Sequence, residues 1–132
     1  MLDAGVFVLA ARAHRPALSR IAEARAQGLL FICAHTYAEF YRGGATSARE
    51  SRLLNQWRPE VLEIRRPDGR LAGELLAVTG RDRELAMDAL LVACASLNFI
   101  DRIITGDPQD FRELRAALPR TAHSAIAIEH IA

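Results

Sequence analysis

The sequence predicts an α/β fold, a three-layer α/β/α sandwich with a mostly parallel central sheet, in a single domain over residues 1–132. Short apolar segments of strand length alternate with helical segments along the whole chain. Residues 29–33 are apolar at every position, which is typical of a strand covered on both faces. A chain of 132 residues that is 51% hydrophobic and 25% charged fits one globular domain and argues against disorder.

Glycines and prolines separate the predicted elements in the first half of the chain. A short strand begins at Leu2 and leads into a helix over residues 6–13. Pro16 suits the first turn of a second helix, which runs to about residue 27 and ends at Gly28. The next elements are the strand at 29–33, helices at 36–41 and 47–57, and a strand at 61–64.

The second half continues the alternation. Asp68 or Gly69 opens a helix that runs to about residue 78, and Gly80 ends it. The remaining elements are a nearly all-apolar helix at 84–97, a strand at 102–105, a helix at 107–118 and a last strand at 125–128. Ligand sites in such sheets form beyond the carboxyl ends of the strands, so functional residues are sought there.

Charge and composition exclude several classes of protein. The chain has 17 basic and 16 acidic side chains, a net charge of +1, which excludes a strongly basic nucleic-acid coat protein. It shows neither a membrane-spanning apolar run nor a secretory signal pattern, so we expect a cytoplasmic protein without membrane contact. Cys33 and Cys94 stand in apolar surroundings and are predicted to be reduced core residues, and no zinc-ligand spacing occurs.

Asp88 is the most informative acidic residue. It is the single polar side chain within residues 85–95, apart from the cysteine, in a helix predicted to be buried. A buried carboxylate needs a cation, hydrogen bonds or a raised pKa. The structural alternative is that Asp88 pairs with Arg81 or Arg83 in the preceding segment.

Three further acids stand near the predicted carboxyl ends of strands. Asp3 and Asp107 directly follow strands, although each is also suited to cap the next helix. Glu39 begins the helix after the second strand, where the ordinary alternative is a solvated helix face. If the first and fourth strands are neighbours, these acids and Asp88 converge on one cleft. Four carboxylates cannot all ionise there without a cation, and oxygen ligands favour Mg²⁺ or Mn²⁺, which suits phosphodiester hydrolysis.

Four short motifs in this order resemble those of the PIN-domain ribonucleases, and within them the VapC-like toxins of bacterial toxin–antitoxin pairs. They are residues 2–7 with the first Asp, 36–43 with the Glu, 87–93 with the Asp-Ala pair, and 105–111 with the last acids. Gly5 departs from the family, which often has a hydroxyl or amide residue two positions after the first Asp.

The resemblance implies a PIN-like fold and a metal-dependent ribonuclease that uses Mg²⁺ or Mn²⁺. It implies that the catalytic and metal-binding residues are Asp3, Glu39, Asp88 and Asp107. Asp110 is a candidate peripheral ligand, and Thr105 is expected to orient Asp107 or a water through its hydroxyl. The implied partners are an RNA substrate, a VapB-like antitoxin that covers the cleft, and a second copy of the chain in a homodimer.

Two alternatives to a nuclease remain open. Ala4, Gly5 and the short first strand suit a degenerate PIN domain that binds RNA or protein without cleaving. A phosphoacceptor domain would use Asp3 or Asp107, but the chain has no lysine to partner the phosphate. Arg42, close in sequence to Glu39, is the best candidate for an RNA contact, while most other arginines are expected on a solvated face.

Overall fold

The computed structural model describes residues 1–42, 47–81 and 83–131. In these residues the α-helices are α1 (Ala4–Ala11), α2 (Arg15–Gln27), α3 (Ala34–Arg42), α4 (Ser47–Trp57), α5 (Arg66–Thr79), α6 (Ala86–Leu97) and α7 (Pro108–Ala116). The strands are β1 (Phe31–Cys33), β2 (Glu60–Leu62), β3 (Arg102–Thr105) and β4 (Ala127–His130). A 3₁₀ turn (Arg83–Leu85) precedes α6.

The strands form two parallel pairs that are joined by residues 1–3. β1 pairs with β2, and β3 pairs with β4. Between the pairs, the Leu2 N–H donates to the Phe31 carbonyl at 2.8 Å, and the Asp3 N–H donates to the Ile104 carbonyl at 3.0 Å. The spatial order is therefore β2, β1, residues 1–3, β3 and β4, so the predicted first and fourth strands are neighbours.

Adjacent residues of β3 point into different hydrophobic cores. Ile103 packs in a cluster with the buried side of α5, α6 and α7, while Ile104 packs with α1, α2 and α3. Phe111 and Ile21 are among the largest fully buried side chains of the two clusters. Because successive strand residues face opposite sides of a sheet, helices cover both faces. The α/β sandwich with its parallel strands is confirmed.

Three helices, α1, α3 and α5, each begin two residues earlier than the sequence predicts. α1 begins directly after Asp3, whose carbonyl accepts a hydrogen bond from the Val6 N–H at 3.1 Å. α5 begins at residue 66 rather than 68 because Asp68 acts inside the first turn. Its carboxylate accepts the Arg65 backbone N–H at 2.6 Å, which satisfies a donor that the helix start leaves unpaired.

β3 spans the predicted residues 102–105, whereas the other strands are shorter than predicted or displaced along the chain. The first is reduced to a single parallel bridge between Leu2 and Ile104. The last begins at Ala127 instead of residue 125, because its register places Ala127 beside Arg102. Ile126 and Ile128 are buried, and their alternation with exposed residues is the same whether the strand begins at residue 125 or at residue 127. The sequence pattern alone therefore could not determine where the pairing with β3 begins.

Two further expectations can be compared with the structure. Cys33 and Cys94 are both buried and free, as predicted. In the described residues, every helix is too short or too polar to span a bilayer.

Candidate active site

Asp3 and Asp107 begin the helices that follow the two central strands, but neither side chain caps its helix. Each stands at the N-cap position, of α1 and of α7, without a side-chain capping hydrogen bond. This observation argues against helix capping, which was the alternative explanation for the presence of an Asp at each position. The side chains remain available at the carboxyl edge of the sheet.

The Asp3 carboxylate is held by a hydroxyl from the neighbouring strand. The fully buried Thr105 donates its Oγ1–H to Asp3 Oδ2 at 2.9 Å. Burial raises the pKa of Asp3, whereas this hydrogen bond and the nearby backbone amides of Ala4 and Gly5 favour the ionised form. The negative charge of Asp107 raises the pKa of Asp3 further, so the two acids lie within electrostatic reach of each other.

Thr105 was expected to orient Asp107 or a water through its hydroxyl. Its hydroxyl contacts Asp107 through the backbone, because it accepts the Asp107 N–H at 3.0 Å. The same hydroxyl also donates to Asp3, which the sequence did not predict. The buried Thr105 hydroxyl thus holds both the Asp3 carboxylate and the backbone of Asp107.

Asp88 lies in the first turn of α6, and its pKa is raised from 3.8 to about 7. Burial is the main cause, and the charges of other acids add to it. Those acids, in order of their effect, are Asp3, Glu39, Asp110 and Asp107. The structure thus brings all five predicted acids into one electrostatic cluster, which we call the carboxylate cluster.

Arg81 does not form the ion pair with Asp88 that was the structural alternative to a functional role. Arg81 pairs instead with Asp110 at 3.3 Å and with Glu113 at 3.3 Å. The side chain of Arg83, the other proposed partner, lies outside the described part of the structure. Within that part, Asp88 has no ion pair to offset its burial.

Glu39 faces the carboxylate cluster from the second turn of α3. Burial and the charge of Asp3 raise its pKa, and the positive charge of Arg42 lowers it. Its side chain is half-buried, which does not match the alternative of a fully solvated helix face. Arg42 stands one turn further along the helix and is exposed. Gly43, the last residue of that motif, lies outside the described residues.

His35 was not assigned a role from the sequence, and Arg81 was named there only as a partner for Asp88. His35 stands four positions before Glu39 on α3, and this spacing could have placed it on the same helix face. Burial lowers the pKa of His35, which lies beside the backbone of Met87. Arg81 is 29 residues from Asp110, so no local pattern connects them.

The carboxylate cluster fits a hard divalent cation in charge and in donor chemistry. The acids raise one another's pKa, as negative charges do when no cation offsets them. Carboxylate oxygens are the donors that Mg²⁺ and Mn²⁺ prefer. In the described residues, no three such side chains already stand in a geometry that would hold an ion.

A model of the PIN domain matches residues 1–117, which include the whole carboxylate cluster. The chain belongs to the PIN domain family. A search of curated proteins and a search of solved structures returned no match. PIN domains are typically nucleases and generally use divalent metal ions, so membership indicates a nuclease-type activity. In the described residues, β4 is the one strand of this PIN domain that lies beyond the matched range.

Proposed function

We propose that this PIN domain is a Mg²⁺- or Mn²⁺-dependent endoribonuclease that hydrolyses RNA phosphodiester bonds. The observation that carries the proposal is Asp88, a half-buried carboxylate whose pKa is raised to about 7 by burial and by the surrounding acids. A fold that only needed a well-packed helix would be more stable with an apolar residue there. A carboxylate at position 88 is favourable if a bound cation offsets its charge.

The chain's own residues would act as ligands and as supports. Asp3, Asp88, Asp107 and Glu39 would hold the ion, and Thr105 would keep the Asp3 carboxylate in one orientation. Asp110 is tied to Arg81, so we place it at the periphery. A bound divalent ion supplies an acidified water and offsets charge that develops on the phosphate.

RNA as the substrate follows from the resemblance to the VapC-like ribonucleases. The exposed Arg42 next to Glu39 supports it, because a guanidinium is suited to contact RNA at the edge of an acidic site. We extend the proposal to a cytoplasmic toxin of a toxin–antitoxin pair, organised as one domain over residues 1–132. Its partners would be a VapB-like antitoxin that covers the cluster and a second copy in a homodimer.

The test is cleavage of a pooled RNA substrate that includes structured tRNA. Wild type, Asp88→Asn and the control Asp101→Asn are purified identically and assayed in Mn²⁺, Mg²⁺ and EDTA. Asp101 suits the control because it is an exposed acid just before β3, at the opposite end of the strand from Asp107. Wild type and the control should cleave only with metal, and Asp88→Asn should lose at least about 100-fold, as transition-state groups commonly do.

Equal cleavage by Asp88→Asn and wild type would overturn the proposal by exposing either a contaminant or a different site. A degenerate PIN domain makes another prediction. RNA or a partner protein binds, nothing is cleaved, and Mn²⁺ does not raise the melting temperature. A rise that requires Asp88 would argue against this non-catalytic alternative.

A further inference from the structure

An open cleft of about 450 Å³ lies between α1 and α3 beside the carboxylate cluster. It is lined by Ala4, Gly5, Val8, Leu9, Glu39 and Arg42. Its walls are aliphatic, and its charged groups come from α3. Because Glu39 also faces Asp3, the cleft opens directly beside the proposed site of chemistry.

Gly5 keeps this cleft open next to Asp3. It lies in the first turn of α1, and a Cβ atom built there would stand 3.4 Å from Asp3 Oδ2. That distance is an ordinary contact, so alanine fits. A larger side chain would extend into the cleft that Gly5 lines. Glycine at position 5, in place of the hydroxyl or amide residue of the family pattern, therefore leaves the cleft open.

Arg42 presents unused hydrogen-bond donors at the edge of the cleft. Its side chain is exposed, and within the described residues its guanidinium makes no hydrogen bond and no ion pair within 4.0 Å. A guanidinium is a rigid fork of donors with no acceptor. It matches an edge that offers two acceptors, and the O6 and N7 atoms of guanine form such an edge.

We propose that the cleft is a nucleobase subsite that takes a guanine next to the scissile phosphate. The inference rests on the proposed ribonuclease function. Single-stranded RNA is commonly read by bases that are splayed out of the stack, packed on side chains and hydrogen-bonded at their edges. Val8 and Leu9 provide the surface for the face of the base, and Arg42 reads its edge. Adenine would present its N6 amino donor to Arg42, so the cleft should prefer guanine over adenine.

The first experiment sequences the ends that are produced from a random-sequence RNA in Mn²⁺. We expect wild type to enrich guanine at one position next to the cut. Arg42→Ala and Gly5→Leu should each lower the preference for guanine over adenine by about tenfold, the scale of one lost bidentate contact. The controls Arg70→Ala and Gly73→Leu should keep it, because both lie exposed on α5, away from the cleft.

Three results would overturn the proposal. One is a wild type without guanine enrichment. Another is a preference that both cleft variants leave unchanged. The third is an equal loss of cleavage at all four bases in Arg42→Ala, which would identify a contact to the RNA backbone. Gly5→Ala checks the fold, since its Cβ makes only an ordinary contact and alanine favours the helix, so its melting temperature should not fall below that of wild type.

A second experiment needs no cleavage. Guanosine 5′-monophosphate and adenosine 5′-monophosphate are titrated in EDTA while backbone amide chemical shifts are followed. We expect the guanine nucleotide to shift the amides of Val8, Leu9 and Arg42, and Arg42→Ala to weaken its binding by about tenfold. Equal responses to both nucleotides, or none, would overturn the cleft assignment. Guanine binding without RNA cleavage would refute the nuclease alone, while cleavage without guanine preference would refute the cleft alone.

Discussion

In the metal-free protein, replacing Asp88 with asparagine should stabilise the fold above neutral pH. The pKa of Asp88 is about 7 in the folded state and near its ordinary 3.8 when the chain is unfolded. Between these values the folded state keeps a proton that the unfolded state releases. Wild-type stability therefore falls as the pH rises from about 4 to about 7 and then levels off. The asparagine side chain has no proton to lose in this range, so its contribution is independent of pH.

The size of the effect follows from the width of that interval. About three pH units correspond to about 4 kcal/mol if the whole shift is felt as stability. Asp88 is only half-buried, and solvent screening lowers the value that we expect to about 2 kcal/mol. For a domain of this size, that difference raises the melting temperature by roughly 5–10 °C.

Urea unfolding in EDTA from about pH 4.5 to about pH 8.5 measures the difference. The Asp88→Asn variant should be close to wild type at the acidic end and more stable at the alkaline end. Glu74→Gln, which removes an exposed acid from α5, is the control and should show no such divergence. A constant offset between Asp88→Asn and wild type across the range would refute the reasoning. Added Mn²⁺ should reverse the order at high pH, because only wild type keeps the full set of ligands.

Three further variants test the supports of the site and of the fold. Thr105→Val removes the hydroxyl that holds Asp3, and calorimetric titration should show Mn²⁺ affinity reduced by about tenfold or more, with Thr105→Ser close to wild type. Asp68→Ala removes a fully buried carboxylate that accepts the N–H before α5, and urea unfolding should show a loss of about 1–3 kcal/mol. Phe111→Ala should cost about 3–5 kcal/mol in the same assay because the ring is 1% exposed. Phe99→Ala is its control and should change stability by less than about 0.5 kcal/mol, since that ring is 78% exposed.

The order of elements could be predicted because each one carries a local signal. Apolar runs mark the strands, and residues such as Gly28, Gly80 and Pro108 mark where helices end or begin. The beginning of β4 carries no such signal. It depends on hydrogen bonds to β3, which is distant in sequence, and an alternating isoleucine pattern is compatible with several starts.

The carboxylate cluster was predictable for a different reason. Asp88 is conspicuous in an apolar helix, and parallel strands bring their carboxyl ends to one edge, so the convergence of the acids follows from topology. The pairing of Arg81 with Asp110 and Glu113 was not predictable, because it joins segments that no periodicity relates. Local sequence patterns can therefore place a residue at an edge of the sheet. The ion-pair partners of a long side chain such as that of Arg81 depend on how distant segments pack together.

Thr105 and Gly5 together explain how the site can depart from the family pattern. The resemblance to PIN-domain ribonucleases leads us to expect a hydroxyl or amide two positions after the first Asp, where it can support that carboxylate. Here the support comes from the neighbouring strand, since Thr105 donates to Asp3 at 2.9 Å. Position 5 is thereby released from that task and can be glycine, which leaves the cleft beside Asp3 open. The exchange predicts a coupling between the two positions. A serine at position 5 should restore Mn²⁺ affinity to Thr105→Val and, in the same protein, weaken the preference for guanine.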